Sequence, residues 1–183
     1  MEGKLQGRSE TVIHAPAARI WEILEDSEAN LPSVLPMVKT CAIESGGRER
    51  VGAVRTCDVD FGGKAGTTVE CCIESVPNRT LAHLIEDDSF GFSRMLSDFW
   101  FSFNLEPESA QKTRVSIETH YDPKGIRGRL MSALMAKRQF RRVRESALEN
   151  LTQLAESAGR AGDSISPGEA DTPPFVPLSR VPK

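Results

Sequence analysis

Residues 126–157 read IRGRLMSALMAKRQFRRVRESALENLTQLAES. No proline interrupts the stretch, and Leu130, Ala133, Phe140, Val143, Ala147, Leu151 and Leu154 recur at three- and four-residue spacing, the pattern of one buried stripe along a helix. Met131, Leu134 and Met135 widen that stripe in the first half, so the helix is expected to be covered there on more than one side. A helix of about 30 residues is roughly 45 Å long at 1.5 Å per residue, enough to cross a whole sheet.

The sheet is written upstream of it. Residues 51–61, VGAVRTCDVDF, alternate: Val51, Ala53, Cys57, Val59 and Phe61 share one face, and Arg55 falls on that apolar face. Residues 67–76 place Val69, Cys71 and Ile73 together, and residues 80–86 place Leu81, His83 and Ile85 together, with Pro77 and Asn78 turning the chain between them. MLSDFWFSFNLEP sets Phe99, Phe101, Phe103 and Leu105 on one side, with Trp100 breaking the pattern. TRVSIETHY sets Val115, Ile117, Thr119 and Tyr121 on one side. Period-two alternation separated by turn residues predicts hairpin-connected antiparallel strands. The segment FGGKAGTT at 61–68 superficially suggests a phosphate loop, but Lys64 is followed by Ala65 and the required glycine spacing and following helix are missing; a hairpin turn is expected.

At the N-terminal end, TVIHAPAARIWEILED (11–26) passes from a strand into an amphipathic helix carrying Ile20, Trp21 and Leu24. Pro16 suits a helix start, where its missing N–H has no partner to lose. Pro32 and Pro36 then permit only short helical turns before a strand over Val38–Glu44, and Gly46 and Gly47 supply the next turn. Beyond Ala158 the chain is rich in Gly, Ser, Pro and Asp, a composition that cannot build a core. One domain over residues 1–158 and a flexible tail over 159–183 are therefore expected.

With 39% hydrophobic and 27% charged residues in 183, and a net charge of -3, the chain has a globular composition and no global attraction for DNA or anionic membranes. Its start contains no signal-like apolar core, and no run of roughly 18 apolar residues occurs, so a cytoplasmic location is expected. Cys41, Cys57, Cys71 and Cys72 lack zinc-site spacing and are read as reduced packing residues.

APAARIWEILED, the two Leu-Pro pairs, VGAVR, the strands ending in NLEP and TRVSIETHY, and GIRGRLMSALMAKRQFRRVRESALENLTQLAE, taken in order, resemble the polyketide cyclase/dehydrase and lipid-transport family of the START-like (SRPBCC) superfamily. The resemblance covers roughly residues 8–157. It implies an α+β helix-grip fold, shared with birch-pollen-allergen-like proteins: a curved seven-stranded antiparallel sheet wrapped around a long C-terminal helix, with short helices after the first strand. It also implies a deep apolar cavity between sheet and helix for a lipid, polyketide, sterol or quinone-like ligand. Ser33 and Val34 lie between the Leu-Pro pairs, where many relatives carry an aromatic.

Signals for catalysis are thin. Three histidines stand apart from any metal-ligand spacing, and no nucleophile elbow occurs; no metal and no cofactor are expected. Expected ligand-binding residues are Arg55, Cys57, Cys71, His83, Phe99, Phe101, Ile117, Thr119, Leu130, Met131 and Leu134. Arg55 and His83 either orient a ligand's polar group or are satisfied by a neighbouring side chain. Tyr121 either donates to a ligand or packs. The leading expectation is a carrier or sequestering protein. The second is an aromatase/cyclase or dehydratase with His83, Arg55 or Tyr121 in acid/base work. The third is an interaction module that uses Arg138, Arg141 and Arg142, exposed on the long helix, against an anionic surface or macromolecule.

Overall fold

Seven strands form one antiparallel sheet in the order β1-β7-β6-β5-β4-β3-β2. This computed structural model describes residues 2–44, 46–132 and 137–162. The strands are β1 (Leu5–Ile13), β2 (Val38–Ile43), β3 (Val54–Phe61), β4 (Lys64–Val76), β5 (Thr80–Asp88), β6 (Leu96–Ser109) and β7 (Lys112–Pro123). From β2 to β7 each strand pairs with its sequence neighbour, and β1 closes the far edge against β7. Two helices, α1 (Ala17–Glu25) and α2 (Ser27–Val34), carry the chain from one edge of the sheet to the other. The chain continues through α3 (Phe92–Met95), α4 (Gly125–Met131) and α5 (Lys137–Gly162).

Local chemistry explains the turns. Phe61 pairs with Lys64 across Gly62 and Gly63, whose φ angles are 66° and 84°, the two positive values that a type I′ hairpin demands. The FGGK segment is therefore a hairpin, as expected. Pro16 stands at the N-cap of α1, and the buried face of that helix comprises Ala17, Ile20, Trp21, Ile23 and Leu24. Pro32 lies inside α2, so this helix is longer than its prolines suggested. Asp26 caps it by accepting from the Ala29 N–H, and Pro32 comes far enough along the helix that only its later turns lose a donor.

The core has α5 laid across the concave face of the sheet, touching β1 and β7 along one side and α1 and α2 at the end. Phe140, Ala147, Leu148, Leu151 and Ala155 are the buried apolar positions of α5, a stripe at the helical repeat. Asn150 Nδ2 donates to the Val34 carbonyl at 3.2 Å, and Glu156 accepts from the His14 N–H at 2.9 Å, fixing both ends of that contact. The expected single helix from Ile126 to Ser157 is seen as α4 and α5; residues 133–136 between them lie outside the described residues, as does the expected tail from residue 163 onward. The helix itself runs to Gly162.

Two expectations are corrected here. On β4 the inward face carries Glu70 and Cys72, not Val69, Cys71 and Ile73. An inward carboxylate reverses the apparent polarity of that strand, and Arg55, its register partner on β3, is what makes the inversion affordable. Cys41 and Cys57, read as reduced, face one another across β2 and β3 with Cα atoms 4.1 Å apart and are joined as a disulfide; Cys71 and Cys72 are free.

Candidate functional site

A cavity of about 110 Å³ remains between the sheet and α5. Its floor is set by alternation on three neighbouring strands: Phe99, Phe101 and Phe103 from β6, Ile117 and Thr119 from β7, and Ile85 from β5. Phe140, Val143, Arg144 and Ala147 of α5 roof it, and Leu31, Leu35 and Met37 close the α2 end. Phe61, Phe90 and Phe92 complete the lining, Phe61 and Phe90 packing in one cluster with Leu31, Leu35 and Met37. There Phe92 meets Phe61 edge-on with ring centres 5.2 Å apart, and Phe140 lies 5.2 Å from Phe99, spacings at which aromatic pairs attract.

Phe90 and Phe92 have a shared anchor. The Asp88 carboxylate accepts from the backbone N–H groups of Phe90, Phe92 and Ser93 at 2.8, 2.9 and 2.6 Å. Partial burial works to raise the Asp88 pKa, but these donors outweigh it and hold the carboxyl below its ordinary value. The loop entering α3 is thus tied to the end of β5, and two of the cavity's aromatic rings with it.

Four polar side chains reach the wall: Thr68 and Glu70 from β4, Thr119 from β7 and Arg144 from α5. Behind Glu70 lies a buried charge network. Arg55 donates through Nε and Nη2 to Glu70 Oε2 at 2.9 and 2.6 Å, and through Nη1 to Glu49 Oε1 at 2.6 Å. Ser27 Oγ donates to the same Glu49 oxygen at 2.6 Å, and His83 Nε2 lies 2.9 Å from Glu49 Oε2. Thr68 donates to Glu70 Oε1 at 2.9 Å. Burial disfavours the Glu49 anion, yet the His83 hydrogen bond and the Arg55 charge prevail and bring its pKa down to about 2.

Burial, and then the Arg55 charge, push the His83 pKa below its ordinary value despite Glu49. The geometry agrees: Nδ1 is buried without a partner, and a proton there would be an orphaned donor. Neutral His83 donates from Nε2 to Glu49 and leaves Nδ1 bare.

Arg55, His83 and Cys57 are therefore buried but stand behind the cavity wall rather than on it. Tyr121 is fully buried as well, with its hydroxyl 3.0 Å from Ser132 Oγ. Phe99, Phe101, Ile117 and Thr119 line the cavity as expected. Cys71 faces the other side of the sheet, and Leu130 is 59% exposed. Leu134 and the Met131 side chain lie outside the described residues.

Sequence reasoning missed Glu70 and Arg144. Arg144 was hidden in a basic run, although it stands four residues from both Phe140 and Leu148 on the buried stripe. Arg138, Arg141 and Arg142 are exposed, as helical spacing required.

Glu49, Cys72 and His83 bring one potential metal-ligand atom each within 4.8 Å of one another. The Arg55 guanidinium already occupies Glu49, and burial together with the nearby Glu49 charge pushes the Cys72 thiol up to about 11, which opposes the thiolate a soft metal needs.

Comparisons with known proteins agree with this architecture. A START superfamily protein from Mycobacterium smegmatis is 16% identical with a TM-score of 0.63, covering 83% of this chain and 97% of that one. Ginseng major latex-like protein 151 from Panax ginseng is 12% identical with a TM-score of 0.67, covering 81% and 95%. The Zhui aromatase/cyclase from Streptomyces sp. R1128 is 17% identical with a TM-score of 0.66, covering 90% and 100%. At these identities the likeness is one of fold. No curated protein matches the sequence. The model of one sequence family, described as polyketide cyclase / dehydrase and lipid transport, matches residues 5–156. Strand order, the gripped helix and this match over most of its length agree: the chain belongs to the polyketide cyclase / dehydrase and lipid transport family.

Proposed function

We propose that the protein binds one hydrophobic small molecule between the sheet and α5, as a carrier or sequestering protein. The observation that carries this reading is the aromatic-lined void itself. Protein interiors are packed to crystal density with few voids, whereas here an apolar space is kept open along the middle of the core. An apolar wall interrupted by a few polar groups is the usual composition of a small-molecule site. As it stands, the void of about 110 Å³ is smaller than the ~150 Å³ cavity known to admit benzene. A ligand larger than one ring therefore enters by displacing phenylalanine side chains that line the void.

The family description also covers cyclases and dehydrases. The catalytic alternative has less support from this chain, because Arg55, His83 and Tyr121 all have protein partners and none lines the cavity.

Native mass spectrometry followed by solvent extraction of the purified protein tests the proposal. It expects a stoichiometric apolar molecule, such as a lipid, quinone or polyketide, or uptake of one from a panel of apolar probes. A clean apo mass with no uptake across the panel contradicts it.

A further inference from the structure

We propose that the ligand of this cavity carries a carboxylate head group, received by Arg144 of α5 and Thr119 of β7. The inference rests on the cavity-binding reading above and specifies its ligand. Arg144 is 6% exposed and lines the cavity. Its Nη1 donates to Thr119 Oγ1 at 3.0 Å and its Nε to Ser9 Oγ at a long 3.4 Å. Both acceptors are neutral hydroxyls. Among the described residues no carboxylate pairs with it: the neighbouring Glu145 is exposed and turns to Arg141 at 3.7 Å. A guanidinium holds five N–H donors in a planar fork matched to a carboxylate, and Nη2 donates to no described residue. A charge largely withdrawn from water, with no counter-ion among the described residues, is costly to a fold; a ligand anion reduces that cost.

The opposite end of the wall gives the contrast. Glu70, the other charged group there, already accepts from Arg55 and Thr68, and its own charge repels an anion. The Arg144 guanidinium is also seated closely against β1. A Cβ placed on Gly7 of β1 would lie 2.4 Å from Arg144 Nη2, so the guanidinium occupies space that only a glycine leaves free. Thr119, once it accepts from Arg144, still has its own O–H to give to a ligand oxygen. The ring-lined remainder of the cavity takes an apolar body, which makes the ligand class an aryl or short alkyl carboxylic acid.

Isothermal titration calorimetry with benzoate, trans-cinnamate, 1-naphthoate and octanoate, each against its neutral amide, tests the assignment. The wild-type protein is expected to bind at least one acid about tenfold or more tightly than its amide. Arg144→Met should lose that preference while keeping the amide's affinity, with a thermal midpoint no lower than wild type; Arg144→Gln serves equally if the methionine packs badly. Gly7→Ala should displace the guanidinium and weaken acid binding while sparing the amide. Equal affinity for acids and amides, or an acid preference that survives loss of Arg144, overturns the head-group assignment and leaves the apolar-binding reading standing. Failure of every acid to bind overturns the head-group assignment, and overturns the binding reading as well only if the amides and a panel of neutral apolar probes also fail to bind.

Discussion

Arg55 on β3 and Glu70 on β4 are register partners whose side chains meet inside the grip, with Nε and Nη2 of the arginine both donating to one carboxylate oxygen. Each is buried, and Glu49 completes the triad from the loop between β2 and β3. The arginine thus joins two strands and a loop across the inner face of the sheet. It also fixes the carboxylate that borders the cavity.

Such a network is expensive to break and cheaper to replace. Arg55→Met leaves Glu49 and Glu70 buried without their cation and is expected to cost about 3–5 kcal/mol in urea denaturation. Adding Glu49→Gln and Glu70→Gln should return part of that loss, since no uncompensated charge then remains. A loss of about 1 kcal/mol or less for the single variant, the size seen for exposed pairs, would show that the triad is open to water.

The same network sets an acid limit on stability. His83 has a folded pKa below its ordinary 6.5, so the unfolded chain binds the extra proton first and stability falls as pH drops below about 6.5. Glu49, held at about 2 against an ordinary 4.5, adds a second loss as pH falls from 4.5 toward 2. Both contributions are fully present at neutral pH. The urea midpoint should be flat above pH 7 with respect to these groups and decline below it. In His83→Gln the decline should begin only near pH 4.5; an unchanged onset would contradict a neutral, buried His83.

Thiol chemistry separates the four cysteines. With Cys41 and Cys57 joined, unfolding without reductant should expose two titratable thiols, and reduction four. In the folded protein Cys71, half-buried on the outer face, should react with a maleimide well before Cys72, which is fully buried with its pKa pushed up to about 11. Four thiols without reductant would remove the disulfide from the account.

Much of this architecture was legible in the sequence because period-two alternation and the helical stripe report which side of an element is apolar. Residues such as Phe99, Phe101, Ile117 and Phe140 announce their facing directly. Alternation misreports an element where a charge faces inward. Glu70 inverted the reading of β4, and Arg144 went unassigned within a basic run, because their partners lie on other elements and no local pattern encodes them. The Cys41–Cys57 contact depends on strand register, which sequence spacing does not give. Phe90 and Phe92 sit in a segment with no periodicity, positioned by hydrogen bonds to Asp88. Leu130 shows the opposite error, an apolar residue assigned to the buried stripe that stands exposed on α4.

Plugging the space between the sheet and α5 shows whether it is a binding site. Ala147 is fully buried and lines the cavity, so Ala147→Phe puts a ring into the void at an expected cost of about 1–3 kcal/mol. The measurement is a fluorescence titration of both proteins with the neutral apolar probe N-phenyl-1-naphthylamine, with circular dichroism to show that the variant is folded. Saturable binding of one probe per wild-type chain, lost in the folded variant, is the predicted result. Absence of saturable binding to wild type, or equal binding by the plugged variant, would contradict ligand binding between the sheet and α5.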